Sequence, residues 1–126
     1  MVTKEDLRDW LDEDARKRYA KVLERIFDNA IKTNALNGRT TFLINTGRVN
    51  NAVGRHEKTE FYRTWHTEDL SDDNRNKVKK EVLDKYRAFG FSVKVVSVDC
   101  GWNSNYEAVQ FIDIHKVLED KNDWNY

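Results

Sequence analysis

SDDNRNKVKKEVLDKYRAFGFSVKVVSVD, residues 71–99, predicts a helix that turns directly into a strand, and the other elements are arranged around this unit. Ser71 is a typical helix-capping residue. The apolar residues after it recur every three or four positions and so share one helical face: Val78, Val82, Tyr86 and Phe89. Gly90 stands where a helix commonly ends with a positive φ angle. Beyond it, Phe91–Asp99 alternates in the manner of a strand.

The next segment completes a β-hairpin. Cys100–Asn105 is rich in Gly, Asn and Ser, which are typical turn residues, and Tyr106–Ile114 returns as the second strand. We expect this hairpin to pack on the helix that precedes it. For His115–Tyr126 two alternatives stay open, a short docked helix and a loose tail.

A resemblance to a known class of proteins lies in the same region. Lys85–Val95 (KYRAFGFSVKV), the Gly- and Asn-containing turn and Tyr106–Val109 (YEAV) resemble the C-terminal half of many small uncharacterised accessory proteins of bacteriophages. The resemblance covers residues 71–114 and implies no active site. It does imply a class in which small proteins with little enzymatic activity often bind a host protein, a nucleic acid or a nucleotide signal.

Residues 1–37 are predicted to be helical, because apolar residues recur along them every three or four positions. Thr3 and Asp6 give an imperfect capping box, and Asn37-Gly38 ends the pattern. The acidic run at 12–14 offers an alternative, a second helix that begins there. We expect the apolar face to pack in the core. The alternative is that three residues near its start are left for a partner or a second copy of the chain: Leu7, Trp10 and Leu11.

Residues 39–70 are predicted to be a strand and loop region. Thr40–Asn45 is β-branched and aromatic and is bounded by glycines, which is typical of a strand that is at least half buried. Thr46–Arg55 has two glycines and no clear period, which favours a loop. Residues 56–67 fit a strand in part and a short helix in part, and we prefer the strand.

These elements indicate an α+β fold of two layers. A long N-terminal helix and a second helix are expected to pack on a three- to four-stranded, mainly antiparallel sheet with a C-terminal β-hairpin. We expect one domain over residues 1–126. Its parts are a helical segment, the strand and loop region, the second helix with its hairpin, and a tail: residues 1–37, 39–70, 71–114 and 115–126.

Composition bounds the class of protein. With 39% hydrophobic and 35% charged residues, the chain is typical of a globular protein rather than a disordered one. No apolar run approaches the roughly 20 residues of a membrane span, and residues 1–6 lack the pattern of a signal peptide, so we expect a cytoplasmic protein without membrane contact. Cys100 is the only cysteine, which excludes an internal disulfide and a zinc site built on cysteines. We expect no cofactor.

The charges are segregated although the net charge is zero. Residues 1–14 carry −4, residues 15–63 carry +7 and the remainder carries −3. A basic middle between acidic ends is informative about partners. Aromatic rings beside cations are typical of sites that stack bases and bind phosphates. The middle segment therefore predicts an anion-binding patch, in which cations hold phosphate and Tyr62 or Trp65 stacks: Arg48, Arg55, Lys58 and Arg63.

An alternative applies to the cations of the first helix, which would form a solvated face and pair with acids at helical spacing. The cations are Arg16, Lys17, Arg18, Lys21 and Arg25, and the acids are Asp12, Glu13, Asp14, Glu24 and Asp28.

Candidate catalytic residues form no recognised motif. His56 and His66 lie among four carboxylates, those of Glu57, Glu60, Glu68 and Asp69, but their spacing matches no metal-binding pattern. Cys100, His115 and Asp113 could form a nucleophilic set only if the hairpin register brings the Cys100 thiol close to the other two side chains. We therefore expect no catalytic site and no metal site.

Trp102 is hard to bury at the tip of the hairpin, and an exposed tryptophan is a candidate hot spot for protein binding. The alternative is that it folds back on the sheet or meets the tail. The leading hypothesis is thus a non-enzymatic cytoplasmic binding protein, a phage accessory factor that contacts a host protein. The second is a binder of a nucleotide or nucleic acid through the basic and aromatic patch, and the third a small hydrolase using His56 and His66. A homo-oligomer is left open.

Overall fold

The computed structural model describes residues 1–50, 55–99 and 105–119. Its helices are α1 (Lys4–Leu36), α2 (Glu60–Trp65) and α3 (Asp72–Phe89). Its strands are β1 (Phe42–Asn45), β2 (Gly47–Asn50), β3 (Arg55–Lys58), β4 (Ser92–Asp99) and β5 (Asn105–Ile112). A 3₁₀ helix, Ile114–Glu119, follows β5. Helices packed on an antiparallel sheet confirm the predicted α+β class.

The main sheet has three antiparallel strands in the order β1-β5-β4. In the β4–β5 hairpin, Val93 lies opposite Phe111 and Val95 lies opposite Val109. Strand β1 pairs with the other side of β5, which brings Phe42 opposite the same Phe111. Strands β2 and β3 form a separate antiparallel pair.

The prediction of a loop at Thr46–Arg55 was wrong, because strand β2 and the first residue of β3 lie within it. The strand preferred for residues 56–67 is present at 56–58, where β3 continues, and was wrong at Glu60–Trp65, which form helix α2. Thr59 is the residue between the end of β3 and the start of α2. Its backbone nitrogen donates to the carbonyl oxygen of Thr46 at 3.1 Å, and its hydroxyl donates to that of Asn45 at 2.5 Å. Phe61 and Trp65 are four residues apart and share one face in a strand as well as in a helix, so their spacing favoured neither.

Helix α1 is one continuous helix, so the alternative with a second start at residues 12–14 is wrong. Thr3 and Asp6 form a complete capping box, with the Asp6 nitrogen donating to the Thr3 hydroxyl at 3.0 Å and the Thr3 nitrogen donating to the Asp6 carboxylate at 3.1 Å. The acidic run strengthens the helix because each acid pairs with a base four residues later. The pairs are Asp12 with Arg16, Glu13 with Lys17 and Asp14 with Arg18, at 3.6, 3.2 and 2.9 Å.

The core lies between the helices and one face of the sheet. Helix α1 contributes Tyr19, Leu23 and Phe27, and α3 contributes Val78, Val82, Leu83 and Tyr86. Phe111 is fully buried at the centre, and its ring lies 5.4–5.9 Å from the rings of Phe27, Phe42, Tyr86 and Phe91.

Phe89 was expected on the buried face of α3 but is 70% exposed. It is the last residue of the helix, just before the chain turns into β4 at Gly90, whose φ is 122°. Its ring stacks on Phe91 at 5.6 Å and does not enter the core.

The expectation that Leu7, Trp10 and Leu11 pack in the core was also wrong, since each is more than half exposed. An α-helix turns about 100° per residue, so Leu11 points about 100° away from Asp12 and Trp10 about 160° away from it in the helical projection. Asp12 faces α3, because its carboxylate accepts from the Asn74 side-chain amide at 2.8 Å. The apolar stripe therefore rotates away from the core towards the start of α1.

The first part of the C-terminal segment is a short docked helix. Ile114 is buried, and its backbone nitrogen donates to the carbonyl oxygen of Thr40 at 2.9 Å. Residues 120–126 lie outside the described residues.

We predict that Phe111→Ala lowers the free energy of unfolding by about 3–5 kcal/mol, because it removes the ring that four others contact and leaves a cavity. Phe89→Ala is the matched control, since it deletes the same ring from an exposed site and should cost less than about 1.5 kcal/mol. Urea unfolding followed by circular dichroism measures both. Equal losses in the two variants would contradict this description of the core.

Candidate functional site

Strand β4 is an edge of the main sheet. Among the described residues its only hydrogen-bonded neighbour is β5, although it is eight residues long. Strand β1 forms the other edge but has only four residues, and its Asn45 carbonyl already accepts from the Thr59 hydroxyl. An edge strand presents backbone N–H and C=O groups to whatever lies beside it.

The register shows which groups of β4 face outward. The Thr46 nitrogen donates to the Glu107 carbonyl at 3.2 Å, so Glu107 and every second residue after it direct their backbone groups to β1. The alternate residues of β5 then bond to β4, where they meet Ser92, Lys94 and Val96. The residues of β4 between these turn their N–H and C=O groups away from the sheet: Val93, Val95 and Ser97.

One of these outward groups is occupied. Arg87, near the end of α3, donates from Nε to the Val93 carbonyl at 3.0 Å and from Nη1 to the Asp84 carboxylate at 2.8 Å. Lys80 donates to the same carboxylate at 2.7 Å, and its hydrogen bond, followed by that of Arg87, lowers the pKa of Asp84. Among the described residues, the outward groups of Val95 and Ser97 have no such partner.

Helix α3 packs over the core face of the sheet next to this edge. Its residues Val78, Val82, Leu83 and Tyr86 enter the core. Leu83 also lines a cavity, together with α3 residues spaced three or four positions apart. This cavity of about 320 Å³ lies between the helix and the strand, and we call it the α3–β4 groove. It is lined by Trp65, Asn76, Lys79, Lys80, Leu83, Arg87, Val95 and Glu107.

A buried tryptophan lies under the groove. Trp65 is 1% exposed, and its indole Nε1 donates to the Glu107 carboxylate at 2.6 Å. Its carbonyl accepts from the Tyr19 hydroxyl at 3.1 Å, and burial raises the pKa of that hydroxyl. The Lys79 ammonium covers the indole, with Nζ 4.1 Å from the ring centroid. Indole and ammonium attract each other through the ring quadrupole.

Lys79 is a half-buried cation. Burial lowers the pKa of its ammonium, Arg75 lowers it further, and Glu107 acts in the opposite direction. The groove is lined by three cations, those of Lys79, Lys80 and Arg87, and by one carboxylate, that of Glu107. The Asp84 carboxylate binds Lys80 and Arg87 from outside the lining. The groove therefore combines free backbone groups, apolar side chains and a small positive charge.

The predicted anion patch is only partly assembled. The side chains of Arg48 and Arg55 lie outside the described residues, although their backbones pair opposite Glu57 and Asn50. Lys58 and Tyr62 do come together, since the ammonium lies 4.6 Å from the ring centroid.

The two remaining patch residues lie apart from that pair. Trp65 is buried beneath Lys79, so it is not free to stack on a base. Arg63 is exposed and lines a different cavity, of about 330 Å³, together with Arg18 of α1. Arg18 is already paired with Asp14. This pairing is the one expected if the cations of the first helix form a solvated face.

The candidate catalytic residues are not brought together in the described part of the chain. His66 lies beside Tyr62, with ring centroids 4.5 Å apart, and burial together with Lys79 lowers its pKa. The side chain of His56 lies outside the described residues, as do Cys100 and Trp102. His115 is exposed on the 3₁₀ helix. No group of three His, Cys, Asp or Glu side chains within the described ranges could hold a metal ion.

Comparison with protein-family models, with curated proteins and with solved structures finds no match to this chain. No helix in the described part of the chain has both the length and the apolar composition to cross a membrane.

The sequence interpretation missed the groove residues Lys79, Val95 and Glu107. One signal could have found the edge. Ala108, Val109 and Phe111 make β5 apolar on both faces, as in a central strand, whereas β4 alternates with serines and a lysine as an edge strand does.

We predict that the Lys79 ammonium titrates below its ordinary pKa of 10.5, and that Glu107→Gln lowers the pKa further while its amide oxygen still accepts from Trp65. The folded protein then binds fewer protons than the unfolded chain between the two values, so this group makes stability rise with pH across that window. NMR titration of the lysine side chains measures the pKa. Lys85 is the internal control, because the hydrogen bond to Glu24 raises its pKa. An unchanged Lys79 titration in Glu107→Gln would contradict the described electrostatics.

Proposed function

We propose that this chain is a non-enzymatic binding protein that takes up an extended segment of a partner protein as an additional strand beside β4. The observation that carries the proposal is the outward direction of the backbone groups of Val95 and Ser97. The resemblance to phage accessory proteins makes a host protein the first class of partner to test.

Backbone hydrogen bonds supply the attraction in this binding mode, and side-chain pockets supply the selectivity. Val95 and Ser97 together offer two donors and two acceptors. Each net hydrogen bond contributes about 0.5–1.5 kcal/mol, so these bonds alone give only a weak complex. The remaining affinity has to come from side chains of the partner that enter the α3–β4 groove.

The geometry of a strand determines which partner side chains enter. Successive side chains of the added strand point to opposite faces, so every second one faces α3 and the others face solvent. On the α3 side they meet Leu83 and Val95, which are apolar, and Lys79, which is charged. We expect selectivity for alternating positions rather than for a continuous motif.

Hydrogen exchange tests whether the partner binds along the free edge of β4. In the free protein, the amides of Val95 and Ser97 should exchange quickly, and those of Lys94 and Val96, which bond to β5, slowly. A peptide selected from a displayed random-sequence library and added at about 100 times its Kd should slow Val95 and Ser97 roughly a hundredfold. Protection confined to another surface would rule out strand addition at β4.

Val95→Pro tests the same contact by mutation. The substitution removes an outward N–H group and leaves the β4–β5 bonds in place, because proline is tolerated where an edge N–H faces away from the sheet. We expect the selected peptide to bind at least about tenfold more weakly. Val95→Thr keeps the N–H group and a branched side chain, and should bind as the unmodified protein does. Circular dichroism confirms that both variants fold, and full binding by a folded Val95→Pro would contradict the proposal.

A further inference from the structure

We infer that the partner segment is acidic, and that one of its carboxylates pairs with Lys79 in the α3–β4 groove. This inference rests on the proposed function and adds the chemistry of the ligand to it. Its basis is the state of the cations along the groove.

Lys79 differs from its two neighbouring cations. Lys80 and Arg87 both bind the Asp84 carboxylate, whereas the described residues place no carboxylate oxygen within 4.0 Å of the Lys79 ammonium. Within the described ranges, this ammonium instead lies over the face of the Trp65 ring, 4.1 Å from its centroid. A half-buried ammonium without a counterion has lost part of its hydration and has not regained it from an ion pair.

The acid that lines the groove, Glu107, already has a hydrogen-bond partner. Glu107 accepts the indole N–H of Trp65 at 2.6 Å and so is held against the buried ring. It moderates the effect of burial on the pKa of Lys79 without forming an ion pair with it. The ammonium retains donors for a ligand that enters from the side of β4.

A strand added at β4 brings side chains to this position. Val95 and Lys79 line the same cavity. Because side chains alternate along a strand, the partner residues that face α3 would lie next to Val95 and reach this cavity. A Glu or Asp there would form a charge-assisted hydrogen bond in a partly desolvated site, where such bonds are stronger than neutral ones.

A second copy of the chain is the competing occupant of the edge. Strand β4 carries one base, Lys94, and one acid, Asp99, at its end. An antiparallel β4–β4 pair centred on Val95 would place the Asp99 of one copy opposite Phe91 of the other and bring no acid beside Val95 and Lys79, which favours a different, acidic partner.

Selection from a ribosome-displayed library of random-sequence peptides tests the inference, with three forms of the full chain as bait. The unmodified protein should enrich Asp and Glu, at positions that alternate along the peptide. Lys79→Glu should lose that enrichment and select Lys or Arg. Lys77→Glu changes the net charge equally from an exposed position of α3 outside the groove lining, and should select as the unmodified protein does.

A synthetic peptide from the acidic pool gives the magnitude. Replacing its groove-facing Glu by Gln should weaken binding to the unmodified protein about tenfold, and should change binding to Lys79→Gln much less. Calorimetry measures all four combinations, and the fold-change should shrink as salt is added.

The outcomes separate the two proposals. Selected peptides without acidic enrichment, or with the same enrichment for Lys79→Glu, would overturn this inference and leave strand addition intact. Recovery of no peptide would overturn strand addition and this inference with it. A dimer in sedimentation whose Val95 and Ser97 amides become protected as concentration rises would assign the edge to a second copy, and would overturn both.

Discussion

The ring of Phe111 contacts four other aromatic rings, and these come from α1, β1, α3 and the residue that precedes β4. Such edge-to-face and stacked pairs add to the free energy of burial and fix relative orientation. Because Phe111 lies on the central strand, its ring joins α1 and α3 directly to the sheet. The distance between α3 and β4, and so the width of the groove, follows from that packing.

Local patterns in the sequence predicted the elements whose signals are strong and agree with each other. Ser71 and Gly90 bound α3 as expected, and the turn-rich segment between two alternating runs gave the hairpin. Residues 60–65 were assigned wrongly because the Phe61–Trp65 spacing suits both periods, and the decision depended on long-range bonds made by Thr59. Similarly, apolar spacing predicted correctly that Leu7 and Trp10 lie on a helix. It did not predict that the side chains of these residues point away from α3.

The candidate site was less accessible to sequence reasoning than the fold. The charges and aromatic residues of the middle segment were visible, yet the structure buries Trp65 and pairs Lys58 with Tyr62. The edge of β4 is free because β1 pairs with β5 and not with β4, which is decided by tertiary structure. The state of Lys79 depends in turn on Trp65 and Glu107, which are distant from it in sequence.

The free edge of β4 also bears on the solubility of the protein. Long unpaired strands promote aggregation in crowded solutions, and natural proteins often counter this with a charged residue inside the strand. In β4 that residue is Lys94, on the opposite face from Val93 and Val95. Selection at position 94 would therefore act on solubility, while selection at the positions that face α3 would act on partner recognition. Because successive side chains of a strand point to opposite faces, the two properties depend on different residues of β4.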